Sequence, residues 1–295
     1  MASPIRTVSV ASSPYKPRTE HSAPALCRAL MAAGCTVKLG PGMDSTKRRL
    51  GVGPRLHDLE GLVEADLVIS LGGDGTLLAL ARHAGPVGTP LLGLDFGSFG
   101  FLARESYEVL MANLPDVVEG QYSVESRLMV EADVVRGSEI ISTRYGLNDA
   151  VITKSDVRHL VWLDTYVNDE HVATYPADGL IISTPTGSTA YALSAGGPII
   201  APTVESLLIT PICPHSLYAR PLIIEPSAEI KVSATQRGVP AGGLTVTLDG
   251  QEAIDLRPGD VVRVRRANFD AKLVRISSAG FFERLRQKLR WGAER

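Results

Sequence analysis

Apolar and polar positions follow two rhythms along this chain, and the rhythm changes near Gln121. Before that point, short apolar runs alternate with longer stretches of helical spacing. "RTVSVA" reads as a strand that ends in the turn "SSPYKPR". Ala25, Leu26, Ala29, Leu30 and Ala33 then recur every three or four residues, which predicts a helix from about Thr19 to Ala33 that Gly34 stops. "TVKL" is a second strand, "MDSTKRRLGVGPR" a polar loop, "DLVISL" a third strand and "TLLALARHA" a helix. "TPLLGLDFGSFGFLA" is a further strand running into a loop punctuated by Gly97 and Gly100. Strands alternating with helices in this way predict a parallel sheet with covering helices.

After Gln121, short β-branched runs follow one another: "LMVEADVV", "STRYGL", "DAVITK", "LVWLDTYVN", "HVATY", "GLIIST", "LIIEP", "EIKVSA", "LTVTLD" and "VVRVRR". Turn residues separate them and no long helical pattern intervenes, which is the mark of an antiparallel sandwich or barrel. The chain returns to helix in "GFFERLRQKLRW", with Phe282, Leu285 and Leu289 on one stripe that packs on a domain. The expected fold is therefore an α/β N-terminal domain with a Rossmann-like parallel sheet, followed by an all-β antiparallel sandwich. The expected boundaries are residues 1–121, completed by a returning helix over 280–292, and residues 122–279.

Composition narrows the class. The chain has 295 residues, 44% hydrophobic and 21% charged, enough to bury a sizeable core in about two domains. A formal net charge of -2, with acids and bases interspersed, lacks the basic footprint of a nucleic-acid binder. The arginines of "RVRR" (Arg263 to Arg266) alternate with valine, as solvated positions on a strand do. Cys27, Cys35 and Cys213 have neither metal-ligand spacing nor the even count of a disulfide framework, which fits a reducing compartment. No apolar stretch reaches the ~18 residues of a membrane span. Soluble and cytoplasmic is the expectation.

Two stretches carry the chemistry. In "LVISLGGDGTLLALAR" a strand, a glycine turn and a helix follow one another, an arrangement that aims backbone amides at an anion. The phosphate-loop signature G-x-x-x-x-G-K-[ST] is absent, and so is the dinucleotide fingerprint G-x-G-x-x-G. What remains is G-G-D-G-T, where glycines let a ligand approach, Asp74 offers a charge and Thr76 suits the cap of the helix. The second stretch is "YPADGLIISTPTGSTAYALSAGGPII", a strand leaving into a loop dense in hydroxyls and glycines. Thr184, Thr186, Ser188, Thr189 and Ser194 exceed what a turn requires and suit sugar hydroxyls and amides.

G-G-D-G-T, then "LND" (Leu147 to Asp149), "DGLIISTPTGSTAYALSAGGPI", "CPHSLYARP" (Cys213 to Pro221) and "DGQ" (Asp249 to Gln251), in this order, closely resemble the NAD kinase family. The resemblance implies an enzyme that moves the γ-phosphate of ATP, with Mg2+ or another divalent cation, onto the 2′-hydroxyl of the adenosine ribose of NAD to make NADP. It implies Asp74 as the catalytic base, Gly75 as part of the nucleotide site, and Asn148 and Asp149 as ribose ligands. Asp178 would take the nicotinamide end, with Thr189, Ala190, Tyr191 and Ser194 lining the adenine and nicotinamide pockets. Gln251 and His159 would lie near the dinucleotide, and His215 in "CPHSL" would be structural, in a buried turn. No separate metal cage is implied, since magnesium would sit mainly on the ATP phosphates. NAD and ATP would be the partners of a homodimer or homotetramer, with neither nucleic acid nor membrane. Two departures stand out: Asp95 where the family commonly has asparagine, and Asp149 where it usually has glutamate. Two other readings share single features: a diacylglycerol- or sphingosine-type lipid kinase, which has the glycine motif, and a non-catalytic NAD(H)-binding regulator.

Overall fold

The computed structural model describes residues 3–12, 19–50, 60–96, 100–103, 105–155, 160–234, 243–277 and 280–291. The chain forms two compact units, one of residues 1–126 and 271–295, the other of residues 127–270.

In chain order, the first unit contains β1 (Thr7–Ser12), α1 (Thr19–Ala32), β2 (Thr36–Leu39), α2 (Asp44–Leu50), α3 (Glu60–Val63), β3 (Leu67–Leu71), α4 (Asp74–Val87), β4 (Leu91–Leu94), α5 (Tyr107–Ala112) and α6 (Leu114–Val118). Its strands pair in parallel in the order β2-β1-β3-β4. All five residues of β3 are buried, as expected of a parallel strand covered on both faces. Val8, Val10, Leu26, Leu30, Leu67, Ile69, Leu92 and Leu94 meet in one core. Two expectations need correction here. Part of "MDSTKRRLGVGPR" is the helix α2 rather than a loop, because Asp44 opens it where a carboxylate complements the helix dipole. The pair α5 and α6 escaped the periodicity reading; each is six residues or fewer, too short to show a stripe.

The chain continues through β5 (Ser123–Arg136), β6 (Glu139–Gly146), β7 (Asp149–Lys154), β8 (Val161–Val167), β9 (Glu170–Ala177), β10 (Gly179–Ser183), a 3-10 turn at Gly187–Thr189, α7 (Tyr191–Ser194), β11 (Leu207–Ile212), β12 (Leu222–Ile224), β13 (Ile230–Ala234), β14 (Leu244–Leu248), β15 (Glu252–Leu256), β16 (Val261–Arg275) and α8 (Phe281–Leu289). In the second unit one antiparallel sheet runs β12-β11-β10-β7-β14-β15, and the other pairs β16, β13, β8 and β9 in that order. Ile152, Leu180, Ile182, Ile209, Val246 and Leu248 from the first sheet meet Leu163, Ile230, Val232, Val262 and Val264 from the second. That is the core of a sandwich, each strand alternating inward and outward. The strands β11 and β15 were missed. Pro211 interrupts "LLITPI", and "EAIDL" is short and half polar.

Two surface readings also change. Arg263 and Arg265 are not simply solvated. Arg263 Nη2 lies 2.7 Å from Asp133 Oδ2 and Arg265 Nη1 3.0 Å from the same oxygen, while Asp133 is buried and also accepts from Thr143. These contacts hold the Asp133 carboxyl below its usual range against the burial that would raise it. The turn at Cys213–Pro221 is exposed rather than buried, with Leu217 and Tyr218 almost fully in solvent. The His215 N–H does bond the Pro176 carbonyl, at 2.7 Å.

Candidate active-site residues

In the first unit the glycine turn leaves the carboxyl end of β3, where open parallel sheets place their ligands. Gly73 is the N-cap of α4, in extended conformation and with no side-chain capping bond, so Asp74 is the first helical residue. Thr76 therefore lies inside the first turn and is not the cap. The helix starts earlier because a carboxylate at its N-terminus is itself favourable. Both Asp74 oxygens are held by backbone: Phe101 N–H donates to Oδ2 at 2.6 Å, and Leu102 and Ala103 N–H donate to Oδ1 at 3.1 and 2.9 Å. Gly100 makes that approach possible, since a Cβ there would lie 1.9 Å from Asp74 Oδ1. A Cβ on Gly75 would meet nothing within 4 Å. That glycine is therefore not demanded by packing, and the space beside it is open.

In the second unit a different carboxylate organises the Leu147–Asp149 turn. Asp249, in left-handed conformation with φ 52, accepts the N–H groups of Leu147, Asn148 and Asp149 at 3.0, 2.7 and 3.2 Å. Asp149 itself is 4% exposed. Burial, reinforced by the nearby Asp249 charge, pushes the Asp149 carboxyl up to about 7. The hydroxyl-rich loop packs on the same turn. Thr184 N–H donates to the Asn148 carbonyl at 2.8 Å, and Thr184 Oγ1 to the Leu147 carbonyl at 2.6 Å. Gly187 is obligatory, because a Cβ there would lie 2.0 Å from the Asn148 carbonyl oxygen.

Much of the hydroxyl density is therefore used internally. Ser188 Oγ bonds the Pro185 carbonyl and receives the Ile200 N–H, and Thr189 Oγ1 donates to the Thr186 carbonyl at 3.1 Å. Tyr191 and Ser194 face solvent, while Thr189 and Ala190 are half-buried. Asp178 forms an ion pair with Lys154 at 2.5 Å. Burial raises the Tyr191 phenol, and so do Cys213, Asp178 and Asp149 around it, so Asp149, Asp178 and Tyr191 share one neighbourhood. Gln251 is exposed in the β14–β15 turn, two residues beyond Asp249. His159 lies outside the described residues. Sequence reasoning missed Asp249 and Lys154 as organisers of this region. The Asp-Gly pair at 249–250 was the available signal, since such a pair marks a turn that needs positive φ.

Among the described residues, no three His, Cys, Asp or Glu side chains converge as metal ligands, and no helix is long and apolar enough to cross a membrane. Residues 8–122 match the ATP-NAD kinase N-terminal domain family, and residues 147–276 the ATP-NAD kinase C-terminal domain family. An NAD kinase of Geobacter metallireducens is 46% identical over 77% of this chain and 80% of its own length. The chain belongs to the NAD kinase family. A Symbiobacterium thermophilum family member is 44% identical over 93% of this chain and 95% of its own length. The crystal structure of yeast NADH kinase complexed with NADH superposes with a TM-score of 0.88, at 26% identity, over 99% of this chain and 89% of that one. An Archaeoglobus fulgidus NAD kinase structure in complex with ATP shares the fold, with a TM-score of 0.74 at 23% identity over 96% of this chain and 98% of that one. The activity is that of an NAD kinase, and neither the lipid kinase nor the non-catalytic regulator is favoured.

Proposed function

We propose that Asp74 orients and deprotonates the 2′-hydroxyl of the adenosine ribose of NAD. A bond forms between that oxygen and the γ-phosphorus of ATP, and the bond from the γ-phosphorus to the β–γ bridging oxygen breaks. ADP leaves and NADP remains. The observation that carries the role is the cradle of three amides around the Asp74 carboxylate. A carboxylate offers about four lone-pair sites, so one is left to accept a hydroxyl proton from a fixed direction. A ribose hydroxyl is a poor nucleophile, and positioning dominates phosphoryl transfer. Gly75 leaves room for phosphate beside the turn.

Asn148 and Asp149 bind ribose hydroxyls, and Asp178, Thr189, Ala190, Tyr191 and Ser194 take the nicotinamide and adenine ends. The shared neighbourhood of Asp149, Asp178 and Tyr191 supports that reading. Gln251 belongs to the rim of the same dinucleotide site, and a role for His159 rests on the family resemblance alone. ATP is used as its magnesium complex. The chain works in the cytoplasm as a homodimer or homotetramer; Leu217, Tyr218, Leu222 and Ile223, apolar and exposed beside the edge strand β12, support self-association. NADH deserves assay as a second acceptor, given the complex of the yeast relative.

The test is incubation with MgATP and NAD, with NADP read by an NADP-specific dehydrogenase. Asp74→Asn is expected to turn over at least ~100-fold more slowly, the scale of general-base loss, with little change in NAD affinity. Unchanged turnover would remove Asp74 from its role.

A further inference from the structure

Arg127 lies in β5, outside every motif that carries the family resemblance, yet it is 4% exposed. Few positions admit a guanidinium so far from water, because its desolvation has to be offset by well-placed acceptors. One acceptor belongs to the hydroxyl-rich loop, 59 residues further along: Arg127 Nη1 donates to Thr186 Oγ1 at 3.4 Å. Thr186 is itself 6% exposed, so water screens neither group of the pair. Both belong to the second unit.

Thr186 is the residue from which the next turn starts. It caps the 3-10 turn Gly187–Thr189 without a side-chain bond of its own to that turn. Its hydroxyl takes the Arg127 fork instead, while its carbonyl receives the Thr189 hydroxyl at 3.1 Å. The Ala190 N–H closes the turn on the Gly187 carbonyl at 2.8 Å. Two residues before Thr186, Thr184 is anchored to the residues leading into β7 through both its N–H and its hydroxyl. The loop is therefore held at two points by two elements, at Thr184 by the approach to β7 and at Thr186 by β5.

Resting on the reading that Thr189, Ala190 and Tyr191 line the dinucleotide pocket, we infer that Arg127 is a positioning residue for NAD binding. From β5 it holds Thr186, and through Thr186 the Gly187–Thr189 turn, in the conformation that presents those three residues to the dinucleotide. Packing alone would be served by an apolar side chain at this position, as at the buried Leu128, Met129 and Val130 beside it. A cation on the lone pair of a hydroxyl does more. It fixes the direction of the hydroxyl proton, and with it the side chain and the turn that the residue caps.

A double-substitution cycle on the full chain tests this, with NAD affinity read by calorimetry and kcat and KM measured with MgATP. Arg127→Met and Thr186→Val are each expected to weaken NAD binding about tenfold, the scale of coupling between side chains in contact. KM for NAD should rise accordingly, with kcat near parental. The double variant is expected to bind no worse than either single one. Arg127→Lys, which keeps the charge but loses the fork, is expected to recover part of the loss. Additive losses, or a lower unfolding midpoint with parental NAD affinity, would make Arg127 a brace of the fold and overturn the inference. If Arg127→Met does not fold, Arg127→Lys takes its place in the cycle with a smaller expected loss. Tyr191→Ala separates the two readings. Parental NAD affinity in this variant and in Thr186→Val would remove the loop from the dinucleotide site, and the role of Arg127 with it. A loss at Tyr191 with none at Arg127 removes Arg127 alone.

Discussion

The Gly72–Thr76 turn of the first unit and the Asp249–Gly250 turn of the second use one device to different ends. Each contains a carboxylate that collects three consecutive backbone N–H groups from a loop distant in sequence: Asp74 from residues 101–103, Asp249 from residues 147–149. In the first turn the caged acid is the one proposed to act, and the cage sets its direction. In the second the caged acid is scaffold, and its fixed charge acts on a neighbour. Asp149, buried beside it, is pushed up to about 7. A carboxylate that accepts amides is stabilised as an anion, whereas one buried next to it is penalised as an anion. One motif therefore yields a fixed acceptor in one place and a titrating group in the other.

The sharpest way to break this comparison is at Gly100. Gly100→Ala places a methyl on the Asp74 carboxylate while leaving the core intact. Steady-state kinetics should show turnover falling on the order of 100-fold, with a near-parental unfolding midpoint. In the second unit, Gly187→Ala meets the Asn148 backbone rather than a side chain that can rotate. It should lower stability by about 1–3 kcal/mol, the usual cost of overpacking, measured by urea denaturation, and weaken NAD binding by calorimetry.

Asp149 gives a pH signature with a definite sign. Its carboxyl titrates near 7 in the folded chain and near 4 when unfolded, so between those values the native state keeps a proton that the unfolded chain has lost. Its contribution to stability is therefore greatest below about pH 4, falls as pH rises towards 7 and is constant above. Asp149→Asn should flatten that part of a stability-versus-pH curve; an unchanged slope would show that Asp149 does not titrate there. The smallest effect is expected at Gly75, where the space is open. Gly75→Ala should stabilise α4 by up to ~1 kcal/mol in thermal unfolding while raising KM for ATP.

Legibility in the sequence followed the range of the interaction. "LVISL" shows as a strand by a continuous buried run and "TVKL" by alternation of buried and outward positions, and 3.6-residue spacing marked α1. The short helices α2, α5 and α6 and the strand β11 with its proline carry little local pattern and were missed or misread. In α8 the stripe held at Leu285, which is buried, and Leu289, which is half-buried, while Phe282 is exposed.

Local composition by itself determined the two-part architecture, the glycine turn after β3 and the hydroxyl-rich loop after β10, because each depends on residues adjacent in the chain. Tertiary structure alone decided which carboxylate is held and which is left to titrate. Asp74 receives its amides from 27 to 29 residues away, and Asp249 from 100 to 102. The free energy of a charge depends on the donors, charges and solvent brought around it. For Asp74, Asp149 and Asp249 those neighbours are assembled only when the chain has folded.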